Sequence, residues 1–158
     1  MTQEFREKQK FTQWWLWLLL IISTLIPIYG LINHNFFDND YMHDISDPVL
    51  IGVTFVMLGI IFLFLLMNLS TEIDHKGIRM KFYPFISKDL AWKDIKTARV
   101  FNYGFVGGWG IRSITKFGTV YNIKGNKGLV IELQNGNRFV IGTQKEQELQ
   151  AYIEKFNL

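Results

Sequence analysis

Three stretches of this 158-residue chain carry residue types whose spacing could support chemistry. The first is GFVGGWGIR, residues 104–112, with four glycines in seven positions around Trp109. A phosphate-cradling loop sits between a strand and a helix, whose N-terminus supplies the field. This stretch lacks the Gly-Lys-Ser/Thr ending and completes no GxGxxG fingerprint. Its glycines instead supply positive φ and let a strand turn sharply or bulge. The second stretch, HNFFDNDYMHDISDP, holds His34, His43, Asp38, Asp40, Asp44 and Asp47. It opens like a calcium loop at Asp38-x-Asp40. Counting from Asp38, however, His43 falls where the loop needs glycine and Val49 where it needs glutamate. A solvated acidic loop is the reading that remains, and no metal or other cofactor is expected. The third is the run of cations after the glycine loop: Arg112, Lys116, Lys124 and Lys127.

Those cations and Trp109 are the candidate membrane- or partner-facing residues, and each has two readings. Trp109 either packs on the β-unit, with Gly108 and Gly110 making room, or stands out as an anchor for a leaflet or a partner. The cations are either ordinary solvated β-surface or a patch drawn to an anionic leaflet, where each is worth about 1 kcal/mol. No catalytic constellation accompanies them. The chain has no cysteine, which excludes disulfides, Cys-ligated zinc and a thiol nucleophile. Ser70, Ser87 and Ser113 lack a nucleophile-elbow context, and His75 is the one histidine after residue 71, so no enzyme is expected. With no RNA-binding aromatic motif and no recognition-helix pattern, no nucleic-acid partner is expected either.

The elements that must position these residues begin with two apolar runs. Residues 14–32 and 48–71 carry no charge, and each is long enough as a helix to cross a hydrocarbon core about 30 Å thick. Spans are predicted over about 12–33 and 48–70, with Trp14, Trp15 and Trp17 at the interface and Pro27 bending the first. Asp47-Pro48 reads as the N-cap and first position of the second helix. The first run is longer than a signal-peptide core and no small-residue cleavage motif follows it, so it is expected to be retained.

Arg6, Lys8 and Lys10 precede the first span, and the connector has no Lys or Arg. The segment after the second span carries 14 Lys and Arg against 8 Asp and Glu. Lys and Arg concentrate on the cytoplasmic side of membrane proteins, which predicts cytoplasmic termini and an outer connector. The chain accordingly divides into an arm plus span hairpin, 1–71, and a cytoplasmic domain, 72–158.

Within that domain Ile78, Met80 and Phe82 alternate with Arg79 and Lys81 after a tight turn at residues 74–77, giving a strand with one buried face. Pro84 ends it. A further strand holds Ile95, Ala98, Val100 and Phe101 as inward candidates, with room for a bulge. IRSITKF and TVYNIK form two short strands around Gly118. LVIEL and RFVI flank Asn135-Gly136, the preferred pair of a two-residue type I′ hairpin. Thr143-x-x-Glu146 reads as a capping box opening a helix from about 144 to 156, with Leu149, Tyr152, Ile153 and Phe156 on one face.

About seven antiparallel strands followed by one helix describe a small β-barrel or sandwich capped by a C-terminal helix, in an α+β membrane protein. The order resembles the pleckstrin-homology (PH) superfold and in particular bacterial PH-like domains fused behind two membrane helices. The residues that carry the likeness are EIDHKGI, LAWKDI, GGWGIR, YNIKGNKGL and IGTQK. The resemblance implies a bacterial plasma-membrane protein with a binding or scaffolding domain. Its partners would be membrane lipids through the spans, and either further copies of itself or a larger transport, secretion or motor assembly that it joins as an accessory subunit.

Overall fold

The computed structural model describes residues 4–36 and 45–156 and divides the chain into two units: residues 12–66, and residues 1–11 together with 67–158. Asp38, Asp40, His43 and Asp44, the connector residues weighed and rejected as metal ligands, lie outside the described residues.

The first unit is a helical hairpin, α1 (Trp14–Phe36) and α2 (Asp47–Leu66). Both helices are long and apolar enough to cross a membrane. Apart from the seam where they meet, with Leu20 and Leu50 buried, many of their apolar side chains are exposed: Phe55 is 71% and Phe62 is 62% exposed. A soluble core helix would hide such groups. Helix α2 starts at Asp47, one residue earlier than expected. The Ser46 carbonyl accepts the first backbone bonds, from Val49 and Leu50. The Asp47 carboxylate lies 2.6 Å from Nδ1 of His34.

The second unit contains two sheets. The first has the order β1-β2-β3-β4, from β1 (Phe5–Lys10), β2 (Asn68–Ile73), β3 (Gly77–Tyr83) and β4 (Ile86–Ala91). The second has the order β5-β8-β9-β7-β6, from β5 (Ile95–Asn102), β6 (Gly110–Thr115), β7 (Gly118–Asn122), β8 (Lys127–Leu133) and β9 (Arg138–Gly142). Among the described residues there are thus nine strands where about seven were expected. The sheets do not close into a barrel. One pair, β7 with β9, is parallel, because β9 inserts between β8 and β7.

The inner faces of the sheets meet. Lys88 of the first lies over the Phe139 ring of the second, and Leu69, Ile73, Ile78, Phe82, Leu129 and Ile131 are fully buried. Helix α3 (Glu146–Ile153) packs on β5 and β1 through Leu149, Tyr152 and Ile153, and Phe156 stacks on Trp92 at 4.3 Å.

Several local expectations are corrected. The second apolar helix ends at Leu66, whereas a span to about 70 was expected: Leu69, Thr71 and Ile73 alternate as the buried face of β2. The arm belongs with the β-unit, not with the hairpin. Its strand β1 pairs with β2 from Phe5↔Ile73 to Lys10↔Asn68, and Phe5, Glu7 and Gln9 are its buried positions. Phe101 is exposed, and Val100 is only half-buried although its register puts it on the core side; Ile95 and Ala98 are the buried residues of β5. The turn at Gly136 is a three-residue loop, since Leu133 donates its N–H to the Asn137 carbonyl and Gly136 donates to Leu133. Gly136 takes the left-handed position at φ 82°. The capping box does not form: the Thr143 hydroxyl donates to Glu7, Glu146 pairs with Lys127, and the helix starts at Glu146.

Candidate functional site

The five-stranded sheet has an outer face as well as a core face, and strand register assigns residues to each. Ala98, Ile131 and Phe139 share one row of the core face; Val100, Leu129, Ile141 and Tyr121 share the next. The intervening residues point the other way. One row of this outer face reads Arg99, Val130, Val140, Val120, Arg112 across all five strands, and its neighbour reads Thr97, Glu132, Arg138. Three valines therefore floor the face, with an arginine at each end.

Strand β5 lies at one edge of this sheet and β6 at the other, so their connection must cross its full width. Four strand spacings come to about 19 Å, which seven extended residues can cover. The glycine-rich loop is that connection. Gly104, Gly107, Gly108 and Gly110 all have positive φ, at 71°, 81°, 125° and 104°. In passing, the loop lays Tyr103 and Val106 against Val120 and Val140, where Phe117 and Val130 join them in a second small apolar cluster. Tyr103 is pinned there. Its N–H donates to the Asn126 carbonyl and its hydroxyl accepts from Nδ2 of Asn122 at 3.0 Å. Burial pushes the Tyr103 phenol above its ordinary value, with the Asn122 bond opposing.

Beside this cluster runs a groove of about 530 Å3, lined among others by Arg99, Phe101, Lys116, Phe117, Glu132 and Arg138. Phe101 of β5 and Phe117 of the β6–β7 turn meet over it, their ring centres 6.0 Å apart. Arg99 lies 5.9 Å from the Phe101 ring centre and Lys116 lies 5.0 Å from that of Phe117. Glu132 is the groove's one carboxylate, and it is already engaged by Lys96 at 2.9 Å and Arg138 at 3.0 Å. The hydrogen bond from Lys96, reinforced by Arg138, holds its carboxyl below the ordinary glutamate value. Among the described residues no carboxylate pairs with Arg99 or Lys116. The groove therefore presents positive charge over aromatic and aliphatic surface.

The residues singled out from the sequence are only partly gathered here. Lys116 lines the groove, and Arg112 ends the valine row with its guanidinium over Gly108. Lys127 is half-buried and paired with Glu146. Lys124 is exposed in the β7–β8 loop, where its carbonyl accepts from the Gln144 amide. Trp109 is half-buried and borders a separate cavity of about 210 Å3 with Phe105, Val106 and Asn122. Arg99 and Arg138 were missed by the sequence reading. Their signal was present in the outward positions of β5 and β9, but cross-strand register was needed to join them. Among the described residues, no group of three His, Asp or Glu is placed to hold a metal ion. Comparison of the chain with protein-family models, curated proteins and solved structures finds no match.

Proposed function

We propose that this chain is a non-enzymatic, two-span protein of a bacterial plasma membrane, with a cytoplasmic PH-like unit that docks an acidic partner in the groove of Arg99, Lys116 and Arg138. The observation that carries the docking role is the pair Arg99 and Lys116, set over aromatic rings with no carboxylate partner among the described residues. The apolar, outward-facing surfaces of α1 and α2 support the membrane reading. The Lys and Arg distribution supports cytoplasmic termini. The pairing of β1 with β2 fits the same topology, because residues before and after the two spans must then lie on one side. Two sheets closed by a terminal helix support a PH-like unit, and the parallel β7–β9 pair is a departure from the antiparallel pattern first expected.

The test compares proteins co-purifying from native membranes with the natural chain and with a double variant, Arg99→Glu with Lys116→Glu. A partner held at constant stoichiometry by the first and lost by the second is the expected result. An identical set of partners for both refutes the groove as the docking site.

A further inference from the structure

The four-stranded sheet also has an outer face, and its charge changes along the strands. The row Arg6, Glu72, Arg79, Asp89 alternates in sign and cancels; Arg79 is paired with Glu72 and with Asp74. The next row, Lys8, Ser70, Lys81, Ser87, carries two lysines and no acid. The row after that is Lys10, Asn68, Tyr83. Beyond it the β3–β4 turn projects Pro84 and Phe85. Tyr83 is 41% and Phe85 is 52% exposed, and the Lys81 ammonium lies 5.5 Å from the Tyr83 ring centre.

The uncompensated, aromatic end of this face is the end where the chain passes into the apolar helices. Three residues separate Lys10 from Trp14, and Met67 alone separates Leu66 from Asn68. Covalent geometry keeps Asn68 within about 8 Å of the end of α2. Tyr83 is the direct cross-strand partner of Asn68, one strand spacing of about 4.8 Å away. Amphipathic aromatic rings and snorkelling lysines are the side chains that suit a headgroup layer. An exposed Tyr-Pro-Phe turn so close to a span would otherwise leave apolar surface in water.

From this we infer that the Tyr83-Pro84-Phe85 turn inserts into the headgroup layer of an anionic leaflet, with Lys8, Lys10 and Lys81 facing the lipid phosphates. The inference rests on α1 and α2 spanning the membrane. It assigns a lipid-contacting surface distinct from the groove and made by the other sheet. It also makes β1, β2 and β3 the strands that hold the unit at the bilayer surface.

The natural absence of cysteine allows single probes on the full chain in vesicles of phosphatidylglycerol and phosphatidylcholine. A fluorophore is placed at Ser87→Cys beside the turn, at His75→Cys at the opposite end of the β2–β3 hairpin, or at Phe55→Cys in α2. Nitroxide lipids quench at headgroup or acyl-chain depth. The Phe55 probe is expected to be quenched from the acyl chains. The Ser87 probe is expected to be quenched from the headgroups several-fold more than the His75 probe. That excess should shrink when Phe85→Ser, or Lys8→Glu with Lys81→Glu, is added, and when phosphatidylglycerol is omitted. An unquenched Phe55 probe would overturn the span reading and this inference with it. A quenched Phe55 probe with equal quenching at Ser87 and His75, or an excess indifferent to Phe85→Ser, overturns the inference alone.

Discussion

Replacing Glu7 tests whether the N-terminal arm is structural. Glu7 is 7% exposed, and its two carboxylate oxygens accept from the Thr143 hydroxyl at 2.6 Å and from the Gln144 N–H at 2.7 Å. These bonds tie β1 to the segment entering α3, across 136 and 137 residues of sequence. A hydrogen bond to a charged group contributes about 1.5–3 kcal/mol. In Glu7→Ala the buried Thr143 hydroxyl keeps its desolvation cost without its acceptor, whereas the more exposed Gln144 N–H can turn to water. The expected loss is therefore nearer one such bond than two, about 2–3 kcal/mol. Since 1.4 kcal/mol is a factor of ten, amide hydrogen exchange in the segment 142–153 should accelerate about 30- to 140-fold. Lys8→Ala, on the exposed face of the same strand, should change exchange by less than about 0.5 kcal/mol equivalent. Mass-spectrometric exchange of the full chain in nanodiscs gives both numbers. Equal exchange in the two variants would refute the arm as a strand of the β-unit and return it to a merely cationic leader of the first span.

Three further outcomes follow from particular contacts. Asp74 accepts from the N–H groups of Lys76 and Gly77 at 2.8 and 3.2 Å and pairs with Arg79 at 2.9 Å, so Asp74→Ala should cost about 2–4 kcal/mol, read by urea titration of the β-unit in micelles. Burial works against the ionised Asp74, but the Lys76 and Gly77 bonds and then Arg79 outweigh it and hold the carboxyl below its ordinary 3.8; a depressed carboxylate stabilises above 3.8, so this contribution should be intact at neutral pH and be lost as pH falls from 3.8 through the folded value, and a stability difference between the natural chain and Asp74→Ala that does not shrink on acidification would contradict the assignment. Gly118 and Gly136 have φ of 83° and 82°, but a Cβ on Gly118 would sit 1.9 Å from the Arg138 carbonyl oxygen while one on Gly136 meets open space; Gly136→Ala should cost only the left-handed backbone penalty of about 1–2 kcal/mol, and Gly118→Ala should lower the thermal midpoint clearly further. Arg99→Ala should leave the thermal midpoint within a few degrees of the natural chain, because the side chain is exposed and makes no ion pair among the described residues, which is what qualifies the groove substitutions as binding probes.

How much of this was legible in the sequence depends on the range of the interaction involved. The helices of the hairpin, the 74–77 turn, the buried alternation of Ile78, Met80 and Phe82, and the buried face Leu149-Tyr152-Ile153 are written in local periodicity and were read from it. Strand β1 was not. FREKQK alternates Phe5, Glu7 and Gln9 inward, and two polar residues in three buried positions hide the period-2 signal behind charge. Glu7 is buried because Thr143 and Gln144 are there to satisfy it, and nothing within a local window announces those partners. The capping box failed for the same reason: Thr143 had a more distant use for its hydroxyl. Strand β4 was missed because ISKDLA, on a half-exposed edge of the sheet, carries little apolar contrast. Of the candidate residues, Lys116 and Arg112 fell on the groove face, but Arg99 and Arg138 reach it only through the order β5-β8-β9-β7-β6, which brings outward positions of non-consecutive strands side by side.

That topology also constrains how the chain reaches its native state. Strands β1 and β2 are adjacent in the sheet, yet the whole helical hairpin separates them in sequence. In synthesis from the N-terminus, β1 emerges before both apolar segments and its pairing partner only after them. Its hydrogen bonds to Thr143 and Gln144 must await the segment that enters α3. A long-range pairing of this kind gives nothing back until the loop is closed, and closure entropy grows only slowly with loop length. A membrane that holds α1 and α2 as an antiparallel pair would shorten the effective loop, because it brings the end of β1 and the start of β2 to the same side before either is paired. Under the proposed two-span reading the helices would do more than tether the β-unit: they would be the template on which its first sheet starts. The same length of chain with the hairpin replaced by a flexible polar linker should reach the same fold, but more slowly.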